Sequence, residues 1–137
     1  MTRFAILTTL LMAVSLCAFA QEQEKKNADV VAQTWLAFVD KSDFAASWEN
    51  AATPFKSAVT KTDWAKALTS TRGQFGKLLS RKLKSSTYTT TLPGAPDGKY
   101  VVLQYDTSFV NKQSAVETVT PMLDKDGQWR VSGYFVR

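Results

Sequence analysis

The 137-residue chain has no histidine and a single cysteine, Cys17. Without imidazole there is no Ser-His-Asp or Cys-His nucleophilic site, and a lone thiol builds neither a disulfide within the chain nor a Cys-based metal centre. No serine stands three residues before a lysine, which removes the Ser-x-x-Lys arrangement. Glycine is sparse at six, and none falls in a phosphate-binding loop. Long apolar runs are absent beyond one N-terminal stretch, Phe4 to Ala20, which carries no charge but is shorter than the ~20 apolar residues of a spanning helix.

That stretch has the shape of a secretory signal. Met1, Thr2 and Arg3 give a short positive start, and Ala18, Phe19 and Ala20 supply the small-x-small pattern of a cleavage site before Gln21. The expected organisation is a cleavable signal peptide over 1–20 and a single domain over 21–137, exported to the periplasm or secreted. Two other fates are weighed. An uncleaved anchor lacks a strong second charge cluster on its flank, and acylation at Cys17 meets a bulky Leu16 where that processing needs a small residue. Cleavage leaves sixteen basic and twelve acidic side chains and no cysteine. The positive balance suits an acidic partner or an anionic envelope surface. The charges are dispersed, however, and the densest group, Lys77, Arg81, Lys82 and Lys84, reads as a solvated helix end and strand edge. Nucleic-acid binding has no motif to support it.

The remainder divides by periodicity. Ala28, Val31, Ala32, Trp35, Leu36 and Val39 recur at three- and four-residue steps, which predicts an amphipathic helix ending near Asp40 to Ser42. Phe44, Trp48, Ala51 and Ala52 begin a shorter stripe. Thr53 before Pro54 predicts an N-cap opening a segment through Val59, and Thr60 with Asp63 resembles a capping box for a helix whose face includes Trp64, Leu68, Phe75, Leu78 and Leu79.

From about Ser80 the pattern becomes β, with a turn over Leu92 to Gly98. The clearest strand runs from Lys99 to about Val110, with Val101, Leu103, Tyr105, Thr107 and Phe109 on one face. Ala115 to Leu123 and Gln128 to about Val136 follow, joined by a hairpin turn at Asp124 to Gly127, and Pro121 marks a bulge or strand end. In the last strand Trp129, Val131, Gly133 and Phe135 alternate with Arg130, Ser132 and Tyr134. Helices first and strands second imply an α+β domain, its N-terminal helices packed on one face of a four-stranded curved antiparallel meander.

The segments Trp35, Ala45 to Trp48, Phe55 to Val59 with Trp64, Ser80 with Arg81, Tyr88 to Asp97 (YTTTLPGAPD), Tyr100 to Gln104 and the Trp129 to Tyr134 ending carry a family likeness. The chain resembles a family of small bacterial exported proteins catalogued as domain of unknown function 4019, over nearly all of its mature length. That resemblance implies membership but no activity, ligand or catalytic residue. More distantly, the element order and final W-R-V-x-G-Y strand are similar to the cystatin-like and nuclear-transport-factor-like cone folds. Those folds host isomerases, dehydratases and binding modules alike.

The chemistry that remains is acid/base work by carboxylates, tyrosines or lysines, with Glu117 and Asp106 the catalytic candidates by position. Asp106 falls on the polar face of its strand, as a cross-strand partner for Arg130 or a lysine would. Glu117 shares a face with Val119 and Leu123. Asp124 to Gly127 has the start of a calcium loop without its later acidic ligands, and a plain hairpin turn is expected there. No metal or cofactor is expected. Four tyrosines and four tryptophans are expected chiefly as core, with Trp35, Tyr88, Tyr105 and Trp129 as ligand-binding candidates. The leading expectation is a non-enzymatic module binding a small apolar ligand or an envelope protein. An inhibitor or immunity protein of an envelope enzyme or toxin, and a carboxylate-based isomerase or hydrolase, are the alternatives.

Overall fold

The stripe from Ala28 to Val39 needs a partner surface to leave water, and it finds one on a sheet built from the second half of the chain. In the computed structural model, which describes the backbone of residues 3–137 and the side chains of residues 13–137, this stripe lies on α1 (Arg3–Asp40). Met1 and Thr2, which open the expected signal segment, lie outside the described residues. From Val14 to Gln23 the side chains of α1 are exposed; Glu24 is the first to reach the sheet, and burial begins at Ala28. Among the described residues no helix is long and apolar enough to cross a membrane.

α1 stops because Ser42 takes φ 61°, and the N–H groups of Ser42 and Asp43 donate back to Val39 and Phe38. That is a left-handed C-terminal cap with serine where glycine is usual. Asp43 then accepts from Ala46 N to start α2 (Phe44–Glu49). α3 (Thr53–Ala58) and α4 (Lys61–Phe75) follow, the latter capped by Thr60 as its Thr-x-x-Asp spacing predicts.

Two local expectations are corrected. Thr53 is the first residue inside α3 and the preceding Ala52 is its N-cap. The Thr53 N–H and hydroxyl both donate to Asp124 Oδ2 at 2.9 Å, so the capping acceptor comes from 71 residues downstream. Leu78 and Leu79 belong to the first strand, because α4 ends at Gly76 with φ 73°. A Cβ on Gly76 would stand 3.1 Å from the Asn111 side chain, so both conformation and space favour glycine there.

The strands β1 (Leu78–Thr89), β2 (Tyr100–Phe109), β3 (Lys112–Leu123) and β4 (Trp129–Val136) form an open, curved antiparallel meander in chain order. The helices cover one face. Val101, Leu103, Tyr105, Val119 and Val131 meet Trp35, Leu36, Val39, Trp64 and Leu68 in a single core, and the alternation read for β2 is the observed one.

The alternation read for β4 fails at a bulge. Thr120 pairs with Gly133 but Pro121 pairs with Val131, so Ser132 is an extra residue and the facing reverses beyond it. Val131 and Tyr134 both turn toward the helices, and Phe135 is left 53% exposed. Pro121 has no N–H to offer the ladder, which is why the irregularity falls there. A second bulge between Leu83 and Ser85 shifts the β1 register, while Arg81 stays opposite Thr107 and Leu83 opposite Tyr105 on the helix-facing side.

Candidate functional site: a buried ion network and the crevice beside it

One residue from each of six elements converges between the layers: Asp40 at the end of α1, Arg72 on α4, Arg81 on β1, Thr107 on β2, Glu117 on β3 and Tyr134 on β4. Glu117 has no solvent exposure. A bare carboxylate there would cost many kcal/mol, so it must be compensated. Its Oε1 accepts from Arg81 Nε at 2.7 Å and from Thr107 Oγ1 at 2.7 Å. Its Oε2 accepts from Tyr134 Oη at 2.5 Å and lies 3.6 Å from Arg72 Nη1. The carboxylate thus accepts three hydrogen bonds, with the Arg72 guanidinium as a second positive charge beside it.

Asp40 closes the network from the helix side. It takes both terminal nitrogens of Arg81, at 2.8 and 2.9 Å, and Arg72 Nη2 at 3.0 Å. Burial would raise the Asp40 pKa, but the hydrogen bonds and charges of Arg81 and then Arg72 outweigh it, and the carboxyl is held below its usual value. Burial likewise opposes the charge on Arg81, yet hydrogen bonds to Asp40 and Glu117 raise its pKa. Tyr134 is pushed upward by burial and by the Glu117 charge, which keeps its phenol protonated as a donor. Arg72 also lies over the Phe109 ring, 4.4 Å from guanidinium carbon to centroid.

Beside this network a crevice of about 220 Å³ opens between α1 and β1, lined by Gln33, Arg81, Leu83 and Tyr105. Its polar walls are held in place by carboxylates. Asp29, one turn before Gln33 on α1, accepts from Tyr105 Oη at 2.5 Å and from Gln33 Nε2 at 2.8 Å. Burial and then Asp29 raise the Tyr105 pKa. Arg81 is fixed by Asp40 and Glu117.

The two carboxylates singled out from the sequence are far apart in character. Glu117 is the centre of the ion network, whereas Asp106 is exposed on the opposite face, 3.8 Å from Lys84. Arg130 pairs with Asp124 and Asp126, not with Asp106.

Of the aromatic candidates, Tyr105 alone lines the crevice. Trp35 is in the core against Tyr134 and Trp64, its N–H donated to Ser47 O at 2.8 Å. Tyr88 packs partly buried at the core margin. Trp129 donates to Glu24 at 3.0 Å, tying β4 to α1. Arg81, read as part of a solvated basic group, has a side chain only 13% exposed. Asp40 and Arg72 drew no attention as sequence features, since each has the position of an ordinary helix-end charge. Among the described residues no cluster of three or more His, Cys, Asp or Glu could hold a metal ion.

Fold and site together define a small α+β domain whose helix and sheet layers are joined by a buried, charge-balanced network, with a polar crevice at its edge. The chain belongs to the family described as protein of unknown function (DUF4019), whose model matches residues 31–134. All six network residues and all four crevice residues fall within the matched span. No curated protein matches the chain.

Proposed function

We propose that residues 21–137 form a non-enzymatic binding module that is exported to the bacterial envelope and holds a small ligand in the crevice between α1 and β1. The observation that carries this reading is the complete burial of Glu117 among hydrogen-bonding and charged partners. A general base needs a free lone pair within reach of a substrate proton, and this carboxylate is enclosed by two guanidiniums, a threonine and a tyrosine. Asp106 lies outside on solvated sheet surface, where nothing excludes water or perturbs substrate. The crevice, by contrast, has donors and acceptors fixed in advance, which lowers the ordering cost of binding.

Export is supported by the leader and by the placement of the cleavage position. Among the described residues, cutting before Gln21 would leave every side chain that α1 buries on the domain. Cell fractionation with N-terminal sequencing is expected to return a periplasmic chain starting at Gln21. Assays against panels of ester, glycoside and phosphate substrates are expected to find no turnover. Turnover that disappears in Glu117→Ala or Asp106→Ala would overturn the non-enzymatic reading.

A further inference from the structure

The hydrogen-bonding capacity left over at the crevice walls specifies what would fill it. Arg81 has five N–H groups. Among the described residues three find acceptors: Nε on Glu117, and one on each terminal nitrogen with Asp40. Two donors therefore remain on a guanidinium that lines the crevice and cannot turn away. Gln33 spends one amide N–H on Asp29 and keeps its carbonyl oxygen and second N–H. The residues that line the crevice thus carry unspent donors on β1 and an unspent acceptor and donor on α1.

Charge decides between the ligands such a set can take. Arg72 and Arg81 are matched by Asp40 and Glu117, and Asp29 adds a further negative charge behind Gln33 and Tyr105. No surplus positive charge is left to attract a carboxylate or phosphate. An uncharged group that both accepts and donates, as a carboxamide does, matches the walls without that penalty. Leu83 is 42% exposed although it sits on the helix-facing side of the sheet, because α1 does not cover it. It offers an apolar contact beside the polar walls. At about 220 Å³ the space falls below the ~300–1,000 Å³ of drug-sized sites, which limits the occupant to the size of a single capped amino acid.

Resting on the binding-module reading, we infer that the crevice is a site for a small uncharged amide, bound through its carbonyl oxygen to Arg81 and its N–H to Gln33, with an alkyl group against Leu83. Arg81 and Gln33 are the recognition residues. Asp29, Asp40 and Glu117 are positioning residues acting through them.

The test is a pair of titrations of the purified chain, followed by ¹H–¹⁵N NMR, with 3-methylbutanamide and with 3-methylbutanoate. The two probes differ only in amide against carboxylate. Saturable shifts at the Gln33 side-chain amide and at the Leu83 and Tyr105 backbone are expected with the amide, with binding of the acid weaker by about tenfold or more. Gln33→Leu, an exposed helical change that leaves the core untouched, is expected to weaken the amide by about tenfold. The control Thr34→Ala, on the α1 surface outside the crevice, is expected to bind as the parent does. The inference is overturned by equal binding of acid and amide, by Gln33→Leu binding as well as the parent, or by the absence of shifts up to the solubility limit. Saturable shifts gathered on another surface would remove the crevice assignment while leaving a binding module in place.

Discussion

Glu117 and Asp106 are both acidic residues within strands, yet their environments differ so much that the same substitution separates them. Removing one partner of a buried ion pair leaves the other charges uncompensated. Glu117→Ala, which takes from the largely buried Arg81 and Arg72 one of their two carboxylate partners, is therefore expected to destabilise the fold by about 3–5 kcal/mol in urea unfolding. Asp106→Ala, on open surface beside Lys84, is expected to stay within about 0.5 kcal/mol of the parent. The ionisation of Asp40 adds a pH signature. Its folded pKa lies below the 3.8 of the free side chain, so the stability it contributes is complete above that value and is lost as pH falls through the folded pKa. Asp124, depressed by the Thr53 and Lys125 backbone N–H groups against the cost of burial, acts in the same direction. Tyr105 and Tyr134 act oppositely. Both are raised above 10.0, so the stability they confer is intact below pH 10 and declines as pH rises further. Urea midpoints measured across pH are expected to hold a plateau through neutrality and fall at both ends. A midpoint that rises on acidification below pH 4 would contradict the role given to Asp40.

At the level of elements, the helix ends are set by two residues in left-handed backbone with opposite fitness for it. Ser42 occupies φ 61° at a cost that glycine would not bear, and Ser42→Gly is expected to stabilise the domain by about 1 kcal/mol. Gly76 occupies φ 73° with the Asn111 side chain close by, and Gly76→Ala is expected to destabilise it by about 1–3 kcal/mol. Thermal unfolding of the two variants should shift in opposite directions; a shared direction would show that the caps do not control the ends as described. The elements themselves were largely legible in sequence. The three- and four-residue spacing from Ala28 to Val39 and the strict alternation of β2 reflect single faces against one core, and local periodicity records that directly. The facing of β4 departs from simple alternation because alternation counts residues, whereas facing counts ladder positions, and the bulge at Ser132 makes the two differ by one. Thr53 departs from its expected role as N-cap for a related reason. Its position beside Pro54 is the usual signature of a cap, but Asp124 reaches it from the hairpin and takes over the accepting role.

For the whole molecule, residues 13–23 and the domain that follows share one helix, but the side chains of those residues take no part in the core. The side chains from Val14 to Gln23 are exposed, and the first tie from α1 to the sheet is made by Glu24 with Trp129 and Lys99. A chain lacking residues 1–20 is therefore expected to unfold in urea within about 0.5 kcal/mol of the full chain. A much larger loss would mean that residues 1–20 contribute to the folded domain. The sequence by itself determined the chemistry that is missing, since composition alone removes histidine and leaves a single cysteine. It also determined the α+β order of elements and the amphipathic faces, because these depend on residues a few positions apart. Only the tertiary structure decided that Asp40, Arg72, Arg81, Thr107, Glu117 and Tyr134 meet, and that Gln33 and Arg81 line one crevice. Periodicity states which face a residue is on and is silent about which distant residue stands opposite. The network residues are separated by tens of positions along the chain, and each looks locally like an ordinary surface charge or strand residue until the sheet curves over the helices and removes the water between them.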